Sequence, residues 1–167
     1  MRRARLIALS IILGGLLSAC GADASKPANT DPIFAGLDPA VVQEVIASPV
    51  AADRVSGLQG DQALTLWQGM VRNFTLCRSG YQGYKTWVKT GQPVPLVKQP
   101  APTHPGHNLD TDEITLTEKA YRQAIQGGDI SSLRGLLTND SGCGSWVPAE
   151  AGNANGPTIA QAVKKLS

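Results

Sequence analysis

Two imidazoles three residues apart, His104 and His107, stand in a loop with Asp110, Asp112 and Glu113 close behind. Nitrogen and carboxylate ligands at such spacing could hold Zn²⁺ or Cu²⁺. Nothing in the spacing supplies the hydrogen bonds that orient metal ligands, so polar residues facing water are the favoured reading and no cofactor is expected. Asp110 to Glu113 also lacks the glycine that a calcium loop needs at its turn. Gly142-Cys143-Gly144-Ser145-Trp146 places a serine among glycines without matching a Gly-x-Ser-x-Gly elbow, and no strand leads into it. The only bases of histidine type sit together in one loop, and no spacing selects a pair of carboxylates, so the chain reads as a non-enzyme. Asn73-Phe74-Thr75 spells a glycosylation sequon, read as chance inside a helix. Trp67, Tyr81, Tyr84 and Trp87 could line a pocket for an apolar ligand or haem, with a tyrosine phenolate facing iron. A stripe of such rings is more often core.

These residues need elements to position them. Asp38-Pro39 opens a helix that Ser48-Pro49 ends, and a further helical turn is allowed over residues 50–60. Ala63, Trp67, Met70, Phe74, Cys77, Tyr81, Tyr84 and Val88 alternate steps of four and three, the signature of one helix face. Asp61 is the expected N-cap, and a helix over 62–89 would be roughly 42 Å long, which predicts a bend near Gly80 or Gly83. Five prolines between Gly91 and Asn108 exclude regular structure and predict an extended surface crossing. Thr115-Leu116-Thr117-Glu118 has capping-box spacing for the next helix; Asp129 caps a short one after Gly127-Gly128; Thr158-Ile159-Ala160-Gln161 opens the last. The expected fold is all-α: a small single domain of about five helices over 33–167, with one long Pro-rich loop.

The N-terminus carries an address. Arg2, Arg3 and Arg5 precede an apolar run from Leu6 to Leu17, and small residues follow before Cys20. That order is a secretory signal pattern, too short to span a membrane comfortably. Leu17-Ser18-Ala19-Cys20 resembles the lipobox of bacterial lipoproteins. The resemblance implies that residues 1–19 are cleaved as a signal peptide and that Cys20 becomes the lipidated first residue. Acyl chains on the thiol and the new amino group would give a stable anchor, since two chains hold where one does not. Residues 20–32 are the lipidated cysteine and a polar tether reaching roughly 20 Å. Gly21, not Asp, follows the cysteine; in a two-membrane bacterium that favours the outer membrane. An Ala/Gly/Pro/Arg-rich composition equally suits a high-GC actinobacterium, where the anchor is the plasma membrane.

Processing changes the charge. The chain has 15 Lys+Arg and 13 Asp+Glu; losing three arginines leaves 12 against 13. A near-neutral domain without a basic run excludes nucleic acid as a partner. With Cys20 assigned, an oxidising compartment leaves Cys77 and Cys143 as a pair, expected to be a disulfide. Closing so long a loop stabilises a fold by roughly 4 kcal/mol in the chain-entropy account. The functional expectation is a lipid-anchored, extracytoplasmic binding or interaction module of the cell envelope, held to the membrane through its N-terminal lipid, whose partner is an envelope protein or an apolar ligand. The alternatives are a carrier of an apolar ligand or haem in the aromatic stripe, and an envelope enzyme using the His104/His107 loop.

Overall fold

The computed structural model describes residues 26–103, 112–144 and 146–166. Cys20, the segment 1–19, the first part of the 20–32 tether, and His104, His107 and Asp110 lie outside the described residues. The architecture is all-α, with no strand among the described residues. A 3₁₀ turn at Pro32–Phe34 leads into α1 (Pro39–Ala47), α2 (Pro49–Val55), α3 (Gly60–Thr90), α4 (Glu113–Gln126) and α5 (Ile130–Thr138). A π turn at Asp140–Gly144 and an irregular return then bring the chain to α6 (Ile159–Lys165).

Local chemistry places most of these boundaries. Asp38 accepts from the Ala40 N–H at 2.9 Å with Pro39 at the first helical position. Ser48 closes α1 and its hydroxyl caps α2, so the helical turn allowed after Pro49 is a separate short helix. Thr158 and Gln161 form the reciprocal capping box of α6. Two expected caps are corrected. Helix α3 begins behind Gln59, which makes no side-chain cap, and Asp61 lies inside the first turn, where its charge favours the helix dipole. Helix α4 begins three residues before the expected box: the Asp112 carboxylate accepts from the Thr115 N–H at 2.6 Å, a charged cap that outcompetes a threonine hydroxyl.

Helix α3 runs unbroken for 31 residues, about 46 Å at the standard rise, and ends at Gly91, whose φ of 72° makes a left-handed C-cap. No break occurs at Gly80 or Gly83, because these glycines serve close approach instead. A Cβ at Gly80 would stand 2.3 Å from the Tyr121 ring of α4. The ring therefore lies directly on the α3 backbone. Every other helix packs against α3, so it is buried on more than one side. Ala63, Trp67, Met70, Phe74, Cys77, Tyr81 and Tyr84 form the expected stripe, but Val88 is 43% exposed, beyond the last packed turn. Leu76, Gln68, Arg72 and Arg78 are buried on the other sides.

Two of these polar residues tie the shell to the axis. Arg78 donates to Glu44 of α1 at 2.7 Å and to the Pro148 carbonyl at 3.2 Å. Arg72 meets Asp112 at 2.9 Å with side-chain exposures of 3% and 6%; removing one partner of so dry a pair costs roughly 3–5 kcal/mol. The disulfide joins Cys77 to Cys143, fastening the π turn to the middle of α3. From Gly91 to Thr103 the chain is extended, as its prolines dictate, but it is a strap rather than a loose crossing. Val94 packs at Gly83, Leu96 and Gln99 are buried, and Pro100 rests at Gly36. Thr103 donates to the Ile33 carbonyl at 3.2 Å, where the Gln68 amide also donates.

Candidate functional site

Trp67, Tyr81, Tyr84 and Trp87, the candidate pocket residues, all belong to the hydrophobic core, each at most 7% exposed. None lines the cavities described below. The stripe is therefore packed interior, because helices and strap cover α3 where a pocket would have to open. The candidate metal ligands His104, His107 and Asp110 lie outside the described residues, as does Ser145. Asp112, from the same cluster, is committed to Arg72 and to Thr115. Cys77 and Cys143 are joined, so neither is a free thiol. Beside them the Tyr121 hydroxyl stands 3.0 Å from the Cys143 sulfur, and burial pushes its phenol far above the ordinary tyrosine range. It stays protonated and acts as packing.

The most site-like surface opens along the N-terminal half of α3. A groove of about 580 Å³ runs between α2, α3 and the start of α4, with Trp146 at one wall. Its volume falls in the range of small-molecule pockets. Leu58, Leu66, Met70 and Ile114 make the apolar lining, and Arg54, Asp61 and Glu113 mark the rim. Trp146 is held in place by two side chains. The Phe74 ring meets it edge-on with centroids 4.6 Å apart, and the Arg54 guanidinium lies 4.6 Å from its ring centroid. The disulfide at Cys143 and the Val147 carbonyl, which accepts from Ile159 at 2.9 Å, fix the backbone on either side.

Trp146 is 8% exposed, yet its indole Nε1 has no hydrogen-bond partner among the described residues. A buried donor left unsatisfied costs roughly 1–3 kcal/mol. Trp146 is also one of the residues that line the groove. Gly69 lies midway along the α3 side of the groove, and a Cβ added there would meet nothing within 4 Å. A glycine mid-helix costs about 1 kcal/mol relative to alanine, which here keeps the groove floor low.

A larger hollow, about 960 Å³, lies in the α4–α5 hairpin, but it is lined by small and polar residues such as Ala120, Gly127 and Ser132 and opens widely to solvent. A third, of about 330 Å³, lies between the strap and α4. Among the described residues no group of three or more His, Cys, Asp and Glu side chains converges. Nor is any helix there long and apolar enough to cross a membrane.

The sequence signals for the groove were thin. Trp146 stood in a glycine-rich segment read for its serine, and Gly69 stood in a helix read for its aromatics. A glycine with no turn to make, facing outward mid-helix, was the one local hint. No family model, curated protein or solved structure matches the chain.

Proposed function

We propose that this protein is a lipid-anchored, extracytoplasmic binding module of the cell envelope, non-catalytic, that holds a small amphipathic ligand in the groove over Trp146. The carrying observation is the indole Nε1–H of Trp146, buried and unpartnered beside an apolar cavity. The lipobox-like Leu17-Ser18-Ala19-Cys20 supports the anchor, and the Cys77–Cys143 disulfide suits an oxidising compartment. The groove takes an apolar body against Leu66, Met70 and Ile114, an acceptor atom at Trp146, and leaves polar ends at the rim. The Asp112 carboxylate is spent on Arg72 and on Thr115 at the cap of α4, which supports binding over chemistry. The alternative of a carrier for an apolar ligand fits this groove better than the packed aromatic stripe, and the ligand needs no haem iron.

Gly69→Phe tests the groove without breaking the fold. Its side chain enters open space, and a glycine leaves a helix interior, so the melting temperature holds or rises. The apolar fluorophore 1-N-phenylnaphthylamine should bind the wild type saturably, and Gly69→Phe should weaken it at least tenfold. Equal affinity in a folded variant would remove the groove as the site.

A further inference from the structure

The cavity between the strap and α4 is separate from the groove, and its chemistry is different. Lys98 and Gln99 of the strap face Arg72 of α3 and Thr115, Lys119 and Arg122 of α4 around it. Gln99 is 8% exposed, and among the described residues neither its Nε2 nor its Oε1 has a hydrogen-bond partner. The Nε of Arg72, itself 3% exposed, is unpartnered too. A folded chain rarely leaves three buried polar atoms unsatisfied on one cavity. The strap cannot simply turn Gln99 outward, because Leu96 is buried before it and Pro100 is seated at Gly36 after it.

The charges around this cavity do not cancel. Arg72 is balanced by Asp112 at 2.9 Å and Arg122 by Glu118 at 2.6 Å. Lys98 and Lys119 make no ion pair among the described residues, leaving two positive charges at the mouth. Unmet N–H donors inside and ammonium groups outside select an oxyanion. The free Oε1 of Gln99 adds a requirement for a donor beside that oxyanion.

We propose that this cavity binds a phosphate ester with a neighbouring hydroxyl, of the glycerol phosphate type, either free or as the headgroup of phosphatidylglycerol. Gln99 Nε2 and Arg72 Nε donate to the phosphate oxygens, Lys98 and Lys119 neutralise it, and Gln99 Oε1 accepts from the hydroxyl. Both sources share this chemistry. The strap is pinned to Ile33, where the chain emerges from its N-terminal segment, which brings headgroups within reach of a membrane-tethered domain.

Gln99→Leu separates binding from folding, since it keeps the bulk and deletes both orphaned atoms. The apo variant should melt at the wild-type temperature or above. Glycerol 1-phosphate at millimolar concentration should raise the wild-type melting temperature saturably, and Gln99→Leu should weaken that binding at least tenfold. Lys98→Ala with Lys119→Ala should weaken it further at low salt than at high salt. To distinguish the sources, the mature chain from Gly21 onward, which has neither the apolar Leu6–Leu17 run nor the Cys20 sulfur, is floated with phosphatidylglycerol–phosphatidylcholine vesicles. Flotation lost in Gln99→Leu assigns the lipid headgroup; a glycerol phosphate shift without flotation assigns the free ester. Binding that Gln99→Leu leaves intact, or no response to either probe, overturns the proposal, and neither result bears on the groove.

Discussion

Arg78 and Glu44 show what a single buried charge does in this protein. Burial pushes the Glu44 carboxyl up, but the hydrogen bonds and charge of Arg78, helped by the Gly152 N–H, hold it below the ordinary carboxylate range. A carboxyl depressed in the folded state stabilises the fold above its unfolded value, near 4.3, and that contribution is lost as pH falls through the folded value. Glu44→Gln should therefore lower stability by about 1–2 kcal/mol at neutral pH, a few degrees in melting temperature. The difference from wild type should shrink as melts are repeated from pH 6 down to pH 3; a gap independent of pH would place the stabilisation elsewhere. None of this was legible in the sequence. Gln68, Arg72 and Arg78 stand off the aromatic stripe, and the seven-residue period of that stripe says which side is apolar but not how many sides are covered. Covering helices and strap come from positions 39 to 163, and a local pattern does not register them.

Elements were easier to read than their contacts. Asp38, Asp129 and Thr158 each cap the helix their sequence promises, since a cap acts within three residues, whereas Ser48, expected only to end α1, also caps α2. Asp112 is harder to see, because its place behind the two histidines suits a metal ligand, while Thr115 three residues on offers a plausible but weaker box. Gly80 has a role that its neighbours in sequence do not reveal. Its sequence context fits a bend, and only the position of Tyr121 shows that α3 and α4 need a residue without a side chain there. Alanine at 80 gains about 1 kcal/mol in helix propensity but forces the Tyr121 ring off the helix, an overpacking cost of roughly 1–3 kcal/mol. With contact as close as 2.3 Å to a ring wedged beside the disulfide, the cost wins. Gly80→Ala should melt several degrees below wild type. Combined with Tyr121→Leu, which clears the ring edge, the penalty of the alanine should shrink, and additive penalties in that double-mutant cycle would show that the ring is not the obstacle.

At the scale of the whole molecule, address and activity come from different kinds of information. The groove is assembled from α2, α3, α4 and Trp146, and the strap cavity from α3, α4 and residues 98–102; neither is continuous in sequence, which is why no motif announces them. The anchor is the opposite case, a contiguous signal that needs no fold. If it operates, Cys20 provides the sulfur that is acylated, the chain is cut before it, and a short polar stretch separates the lipid from the first capped turn at Asp31. Alanine at position 20 removes the nucleophilic sulfur that accepts the lipid without touching any described contact. In cells fed labelled palmitate, the wild type should carry label and the Cys20→Ala chain none, and the variant should accumulate as the uncut 167-residue precursor. One acyl chain gives marginal membrane binding and two or three give stable binding, so the mature wild type should stay in the membrane fraction through washes that release peripheral proteins. Label persisting in Cys20→Ala would mean that lipid, if present, is attached elsewhere, and would detach the compartment from this residue. The folded domain would keep its groove and its disulfide in that event, but the oxidising environment that explains the disulfide would then have to be reached by another route.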